Sequence, residues 1–97
     1  MFKKSNEFTL KEAIEQLLSA YKMDSKINET RIIQAWENVC GVMISRHTER
    51  MYIKNKILFV KVDSAALKNE LSYAKTKLTK ALNSSVNEDV ISEIVFL

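Results

Sequence analysis

Apolar residues at helical spacing dominate the start of the chain. They recur about every 3.6 residues between Phe8 and Tyr21. Thr9 and Glu12 stand three apart at the head of this run, the spacing of a reciprocal capping box. The pattern predicts a first helix over residues 10–22, followed by a short link at residues 23–26.

A second apolar stripe with the same spacing predicts a second helix that ends near Gly41. Asn28 can cap this helix, and Ile27 before it can pack on Ile32 as a hydrophobic staple. Gly41 is the only glycine in a chain without proline, so we expect it to end the helix as a left-handed C′ residue. Residues 42–45 can add one further short turn, and the stripe consists of Ile32, Trp36, Val39, Cys40 and Met43.

Alternation with a period of two begins at Thr48 and predicts two strands. Met51 and Ile53 alternate with polar or amphipathic neighbours, and the run Ile57–Val62 carries the strongest strand signal in the chain. Asn55-Lys56 separates the two runs. Asparagine tolerates a positive φ, so this pair predicts a tight hairpin turn.

A third helix and a last strand complete the predicted order. Asp63 or Ser64 can cap a helix over residues 65–82, and residues 83–85 are expected to end it. Residues 90–97 are predicted to form a strand. The order α-α-β-β-α-β predicts an α+β fold with a small three-stranded sheet packed on helices, and the crossover through the third helix allows a parallel last strand.

Length and composition narrow the class of protein. Ninety-seven residues suit one domain, which we place at residues 9–97 after a loose N-terminus at 1–8. The sequence contains no apolar run of membrane-spanning length and no secretory leader pattern, so we expect a cytoplasmic protein. One cysteine excludes a disulfide within the chain.

Basic residues are concentrated in the middle of the chain. Residues 46–80 contain nine basic and three acidic side chains, a net charge of +6, whereas the whole chain carries +3. Two interpretations remain open: an ordinary solvated surface, or an anion-facing patch if the hairpin and the third helix meet in space. Such a patch would bind phosphates weakly and with strong salt dependence. The candidate nucleic-acid-binding residues are Arg46, Arg50, Lys54, Lys56, Lys68, Tyr73, Lys75, Lys77 and Lys80.

The sequence offers little for catalysis. Cys40 and His47 are the only cysteine and histidine, too few for a zinc site, which takes three or four such ligands. We interpret them as a buried thiol and a surface imidazole, and we predict no catalytic residue, metal or cofactor. Trp36 is assigned to the core, while Tyr73, set among lysines on the third helix, either stacks on a base or has no role.

Several landmarks in a fixed order give the chain a family resemblance. The pattern has three parts: Trp36, Val39, Gly41, Ile44 and His47-Thr48; then Ile57–Leu67 with Glu70-Leu71; then Leu78–Leu82 with Asn83. It resembles the DciA-like family of bacterial proteins over roughly residues 9–97. Ala66 and Leu67 depart from it, because many members have a tryptophan before the Glu-Leu pair.

The resemblance implies a fold and a role. It implies a KH-like domain in which Trp36, Gly41, Glu70 and Leu71 are structural landmarks. It also implies a non-enzymatic part in DNA replication, in which the chain binds the DnaB-type replicative helicase and binds single- or double-stranded DNA weakly. Two alternatives remain open: a KH-like module that binds RNA or DNA without the helicase, and a structural domain whose last strand pairs with a partner or with a copy of itself.

Overall fold

The computed structural model describes residues 9–97, and the predicted loose segment 1–8, with Phe8, lies outside the described residues. The predicted α+β class with a small three-stranded sheet is confirmed. The elements are α1 (Leu10–Cys40), α2 (Val42–Arg46), β1 (Thr48–Lys54), β2 (Ile57–Val62), α3 (Ala65–Ser72), α4 (Lys75–Val86) and β3 (Glu93–Phe96).

One long helix replaces the two that the sequence predicts. Helix α1 has 31 residues, about 46 Å at 1.5 Å per residue. The predicted link at residues 23–26 and the cap at Asn28 are wrong, because this stretch contains no glycine or proline to interrupt the backbone hydrogen bonds. The Asn28 amide instead donates to Glu88 Oε2 at 2.9 Å. Ile27 is exposed in the middle of α1, so it does not form the predicted hydrophobic staple with Ile32.

The two ends of α1 are set by local chemistry. At the start, Thr9 N donates to Glu12 Oε1 at 2.8 Å, and Glu12 N donates to Thr9 Oγ1 at 3.1 Å, so the predicted capping box is confirmed. At the end, Gly41 N donates to Glu37 O at 2.8 Å. Gly41 has φ 93° and ψ 163°, so it ends the helix with a positive φ but not in the predicted left-handed helical conformation. This region is almost restricted to glycine, and the short turn expected after it is α2.

The hairpin forms as predicted. Asn55 and Lys56 have φ of 52° and 64°, the positive values of a two-residue primed turn. Strand β2 pairs antiparallel with β1 and parallel with β3, in the order β1-β2-β3. The expected parallel last strand is therefore confirmed, although it covers only Glu93–Phe96 and not residues 90–97.

The predicted third helix is two helices. Between α3 and α4, Tyr73 N and Ala74 N donate to carbonyl groups three residues back, at 3.2 and 2.9 Å, as in a 3₁₀ turn. Ser64, rather than Asp63, caps α3, since its Oγ accepts from Leu67 N at 3.2 Å.

The predicted helix end at residues 83–85 is also wrong, because α4 continues to Val86. Asn83 does not stop the helix. Its side chain instead holds the loop before β3, donating to Ile91 O at 2.8 Å and accepting from Val90 N and Ile91 N. The side chain that looked like a helix breaker in the sequence therefore fixes where the last strand begins.

A single core joins the helices to one face of the sheet. Helix α1 contributes only its C-terminal half, through Ile32 and Trp36. The N-terminal half of α1 has no buried side chain. The core consists of Ile32, Trp36, Leu58, Val60, Val62, Leu71, Leu82, Ile91, Ile94 and Phe96.

Candidate nucleic-acid interface

The predicted basic residues do not form one patch. Lys56 lies at the hairpin tip, where its carbonyl accepts from Ser92 N at 2.7 Å and from Ser92 Oγ at 3.1 Å, just before β3. Lys68 and Lys75 line a depression together with Phe96, the last residue of β3. The hairpin tip and the two lysines therefore lie at opposite ends of the last strand.

Lys68 and Lys75 line one depression, although they stand on two helices and not on a single third helix. They stand on α3 and α4, on either side of the break, and border a shallow depression of about 320 Å³ with Asn69 and Ser72. Within residues 9–97, no acidic side chain lines this depression. The pair can attract a single phosphate group, although no ion pair among the described residues holds either ammonium group in place.

Two other predicted lysines lie beside acids. Lys56 and Lys80 line separate depressions, and each of these also contains Glu88 and Asp89. The depression at Lys56 holds Asp24 as well. These acids offset the lysine charges, so both surfaces are poor sites for a phosphate backbone.

An aromatic pair lies on the sheet face that is turned away from the helices. Leu58 and Val60 are fully buried against the helices, so alternation puts Phe59 on the opposite face. Tyr52 pairs with Phe59 across the hairpin. Their rings stack with centroids 4.9 Å apart and planes 17° from parallel, and neither ring belongs to the core.

Three cationic residues stand on the same two strands as this stacked pair. The Arg50 guanidinium carbon lies 5.3 Å from the centroid of the Tyr52 ring. Lys61 is the register partner of Arg50, and its Nζ lies 3.9 Å from Glu49 Oε1. Lys54 ends β1 two residues beyond Tyr52. We call Arg50, Tyr52, Lys54, Phe59 and Lys61 the outer sheet face.

Three members of the outer sheet face are absent from the sequence-predicted site: Tyr52, Phe59 and Lys61. The signal for them was present, because a two-residue turn at Asn55-Lys56 fixes the register. Counting outward from that turn pairs Tyr52 with Phe59. What the charge count missed was the face on which each strand residue lies.

The remaining predicted site residues are scattered. Tyr73 is 84% exposed, but it lies in the break between α3 and α4 rather than on a continuous helix with Lys77. Arg46 ends α2, and Lys77 is exposed on α4. These positions are compatible with binding nucleic acid, but they do not lie on the outer sheet face.

Of the landmark residues, Trp36 connects the first helix to the sheet. Trp36 is 2% exposed, which confirms it as a core residue. Its Nε1 donates to Thr48 Oγ1 at 3.0 Å, and Thr48 Oγ1 donates in turn to Ile44 O at 2.8 Å. Leu71 is also buried, whereas Glu70 is exposed. The tryptophan thus ties α1 to the first strand.

The lone thiol and imidazole behave as surface and packing groups. His47 Nδ1 lies 2.8 Å from Asp63 Oδ1, with both side chains well exposed. Cys40 is half-buried, and desolvation raises the pKa of its thiol from 9.0 to about 11, so it is a poor nucleophile at neutral pH. Within residues 9–97, no group of three or more histidine, cysteine, aspartate or glutamate side chains is arranged to hold a metal ion.

Comparison with known proteins identifies the family. The family model described as "Dna[CI] antecedent, DciA" matches residues 9–96, which is nearly the whole chain. The chain belongs to the DciA family. No curated protein and no solved structure matches it. DciA membership links the chain to the loading of the replicative helicase. Among the described residues, no helix has the length and apolar character needed to cross a membrane.

Proposed function

We propose that this DciA-family chain is a non-enzymatic adaptor that binds the DnaB-type replicative helicase in the cytoplasm and assists its loading onto DNA. The observation that carries the proposal is the family match across residues 9–96.

A helicase-loading assay tests this role. The replicative helicase of the same cell is held at a limiting concentration on forked DNA coated with single-strand-binding protein, and unwinding is followed with and without the chain. An adaptor raises the initial rate of unwinding without hydrolysing nucleotide itself. An unchanged rate at saturating chain would contradict the loading role.

A second function, weak binding of single-stranded nucleic acid, is favoured by the outer sheet face. Each ring has one face against the other, and the remaining aromatic surface of the pair can stack a base without regard to sequence. Arg50 lies over the Tyr52 ring, Lys54 ends the same strand, and Lys61 is the register partner of Arg50 but also lies 3.9 Å from Glu49. Two or three phosphate contacts on a single strand give a log–log salt slope of about −1.4 to −2.

The alternative of a KH-like RNA module without a helicase role makes a different prediction. Competition between oligoribonucleotide and oligodeoxyribonucleotide at two salt concentrations separates the two, because a stacking face without contacts to the 2′-hydroxyl binds both alike. A strong preference for RNA, together with no effect on helicase loading, would favour the alternative.

A further inference from the structure

The N-terminal half of α1 carries an apolar stripe with nothing packed on it in the described residues. We define the α1 stripe as Leu10, Ile14, Leu17, Leu18 and Tyr21, whose exposed fractions are 75%, 47%, 71%, 53% and 71%. At 100° per residue, these side chains lie on the same helical face as Ile32 and Trp36, which are 0% and 2% exposed. The same face of α1 is therefore buried in the core at its C-terminal end and exposed to solvent at its N-terminal end.

The exposed area of the stripe lies at the upper limit for an ordinary monomer. Side chains of this size present roughly 150–250 Å² each when fully exposed, so the five together expose about 600 Å², the upper end of the largest patch on a typical monomer. Covering the same patch on a second copy would bury about 1,200 Å² in total, where the range for specific protein interfaces begins.

We propose that the α1 stripe is a homodimer interface in which the α1 helices of two copies pack antiparallel. The direction follows from the position of the domain on the helix. The sheet and α4 already cover the stripe's own face at Ile32 and Trp36, so a parallel copy would bring its domain into the same space. An antiparallel copy places the two domains at opposite ends of the helix pair.

Spacing along the stripe fits this arrangement. Leu10, Ile14, Leu17 and Tyr21 are separated by 4, 3 and 4 residues, the spacing of the core positions of paired helices. A two-fold axis between residues 15 and 16 sets Leu10 against Tyr21 of the second copy and Ile14 against Leu17 of the second copy. The contact is isologous, as a closed dimer requires.

The structure also shows where the interface ends. Beyond Tyr21 the same helical face becomes polar at Ser25 and Asn28, and the Asn28 amide bonds to Glu88 of its own chain. On the flank of the stripe, Ala13 and Ala20 are small and let two helices approach closely. The paired segment thus spans the 12 residues 10–21, about 17 Å along the axis. This dimer uses neither the terminal strand nor the outer sheet face.

Sedimentation velocity over a concentration range of two orders of magnitude tests the proposal. We expect the wild-type chain to show a reversible monomer–dimer equilibrium. Leu17→Asp places an unpaired carboxylate from each copy in the interface and weakens the dimer by roughly 100-fold or more. Because Leu17 is 71% exposed, its replacement leaves the fold intact, which circular dichroism checks. Ser19→Asp adds the same charge on the opposite, exposed face of α1 and leaves the dimer unchanged.

A disulfide experiment tests the direction of the helices. In a Cys40→Ala background, an Ile14→Cys chain and a Leu17→Cys chain are oxidised separately and as a mixture. Antiparallel packing forms the mixed disulfide fastest, whereas parallel packing links each chain to its own kind and overturns the proposed arrangement.

A wild-type chain that stays monomeric at all concentrations overturns the dimer, as does a dimer that Leu17→Asp leaves intact. If the chain is monomeric and Leu17→Asp instead abolishes helicase binding, the stripe is a docking site for that partner. Helicase loading that fails while the dimer persists counts against the proposed function alone, so the two proposals fail separately.

Discussion

Replacing the stacked rings by leucine isolates the contribution of the outer sheet face to nucleic-acid binding. In Tyr52→Leu and Phe59→Leu, an apolar side chain remains on the sheet, but the aromatic surface is lost. Stacking of one base on an aromatic side chain contributes about 1–3 kcal/mol. We therefore expect the Kd for a single strand to rise about 5- to 150-fold.

The fold should survive these replacements. Tyr52 and Phe59 lie outside the core, and a cross-strand aromatic pair contributes roughly 0.2–1 kcal/mol to a sheet. A modest drop in melting temperature is therefore expected, without loss of the folded state. Thermal melts followed by circular dichroism establish that any loss of binding is not a loss of folding.

Fluorescence anisotropy of a labelled oligothymidine provides the assay, at two salt concentrations and with a duplex of equal length in parallel. Tyr73→Leu is the matched control, because Tyr73 is an exposed tyrosine that lies off the sheet. We expect Tyr73→Leu to bind as the wild type does, and we expect the single strand to be preferred to the duplex. Unchanged binding by both sheet variants, with a loss in Tyr73→Leu, would refute the assignment to the sheet and favour the α3–α4 surface.

Three further predictions concern stability and pH. Gly41→Ala should destabilise the fold by about 1–3 kcal/mol in urea unfolding, purely through its φ of 93°, because an added Cβ would meet nothing within 4 Å; a cost near zero would mean that the backbone relaxes freely. Trp36→Phe removes the 3.0 Å hydrogen bond to Thr48 and should cost about 1 kcal/mol or more; equal urea midpoints would contradict this. The pKa of the Cys40 thiol is higher in the folded chain (about 11) than the ordinary 9.0, so its contribution to stability is present below pH 9 and is lost as the pH rises from 9 to 11. Urea midpoints measured across that range should fall more steeply for the wild type than for Cys40→Ala, and parallel curves would contradict the buried-thiol account.

Residues close together in the sequence were sufficient to predict the hairpin. The pair Asn55-Lys56 supplies the two positive φ values of the turn, and the period of two then assigns each strand residue to a face. The capping box at Thr9 and Glu12 was equally local and formed as predicted. The same counting would have found the Tyr52–Phe59 stack from the sequence.

Other features depend on contacts that the sequence does not display. Asn28 has the chemistry of a helix cap, but its amide reaches Glu88, 60 residues away, and the helix continues through it. The break between α3 and α4 at Tyr73-Ala74 contains neither glycine nor proline, so the sequence does not predict it. Lys56 and Lys68 lie at opposite ends of β3. A count of charges along the chain cannot indicate this separation.

Light scattering on a titration of the purified replicative helicase with this chain shows whether the two proteins bind each other. We expect a defined complex at low micromolar concentrations. Two independent species at tens of micromolar, with a folded chain and an active helicase, would contradict the adaptor function.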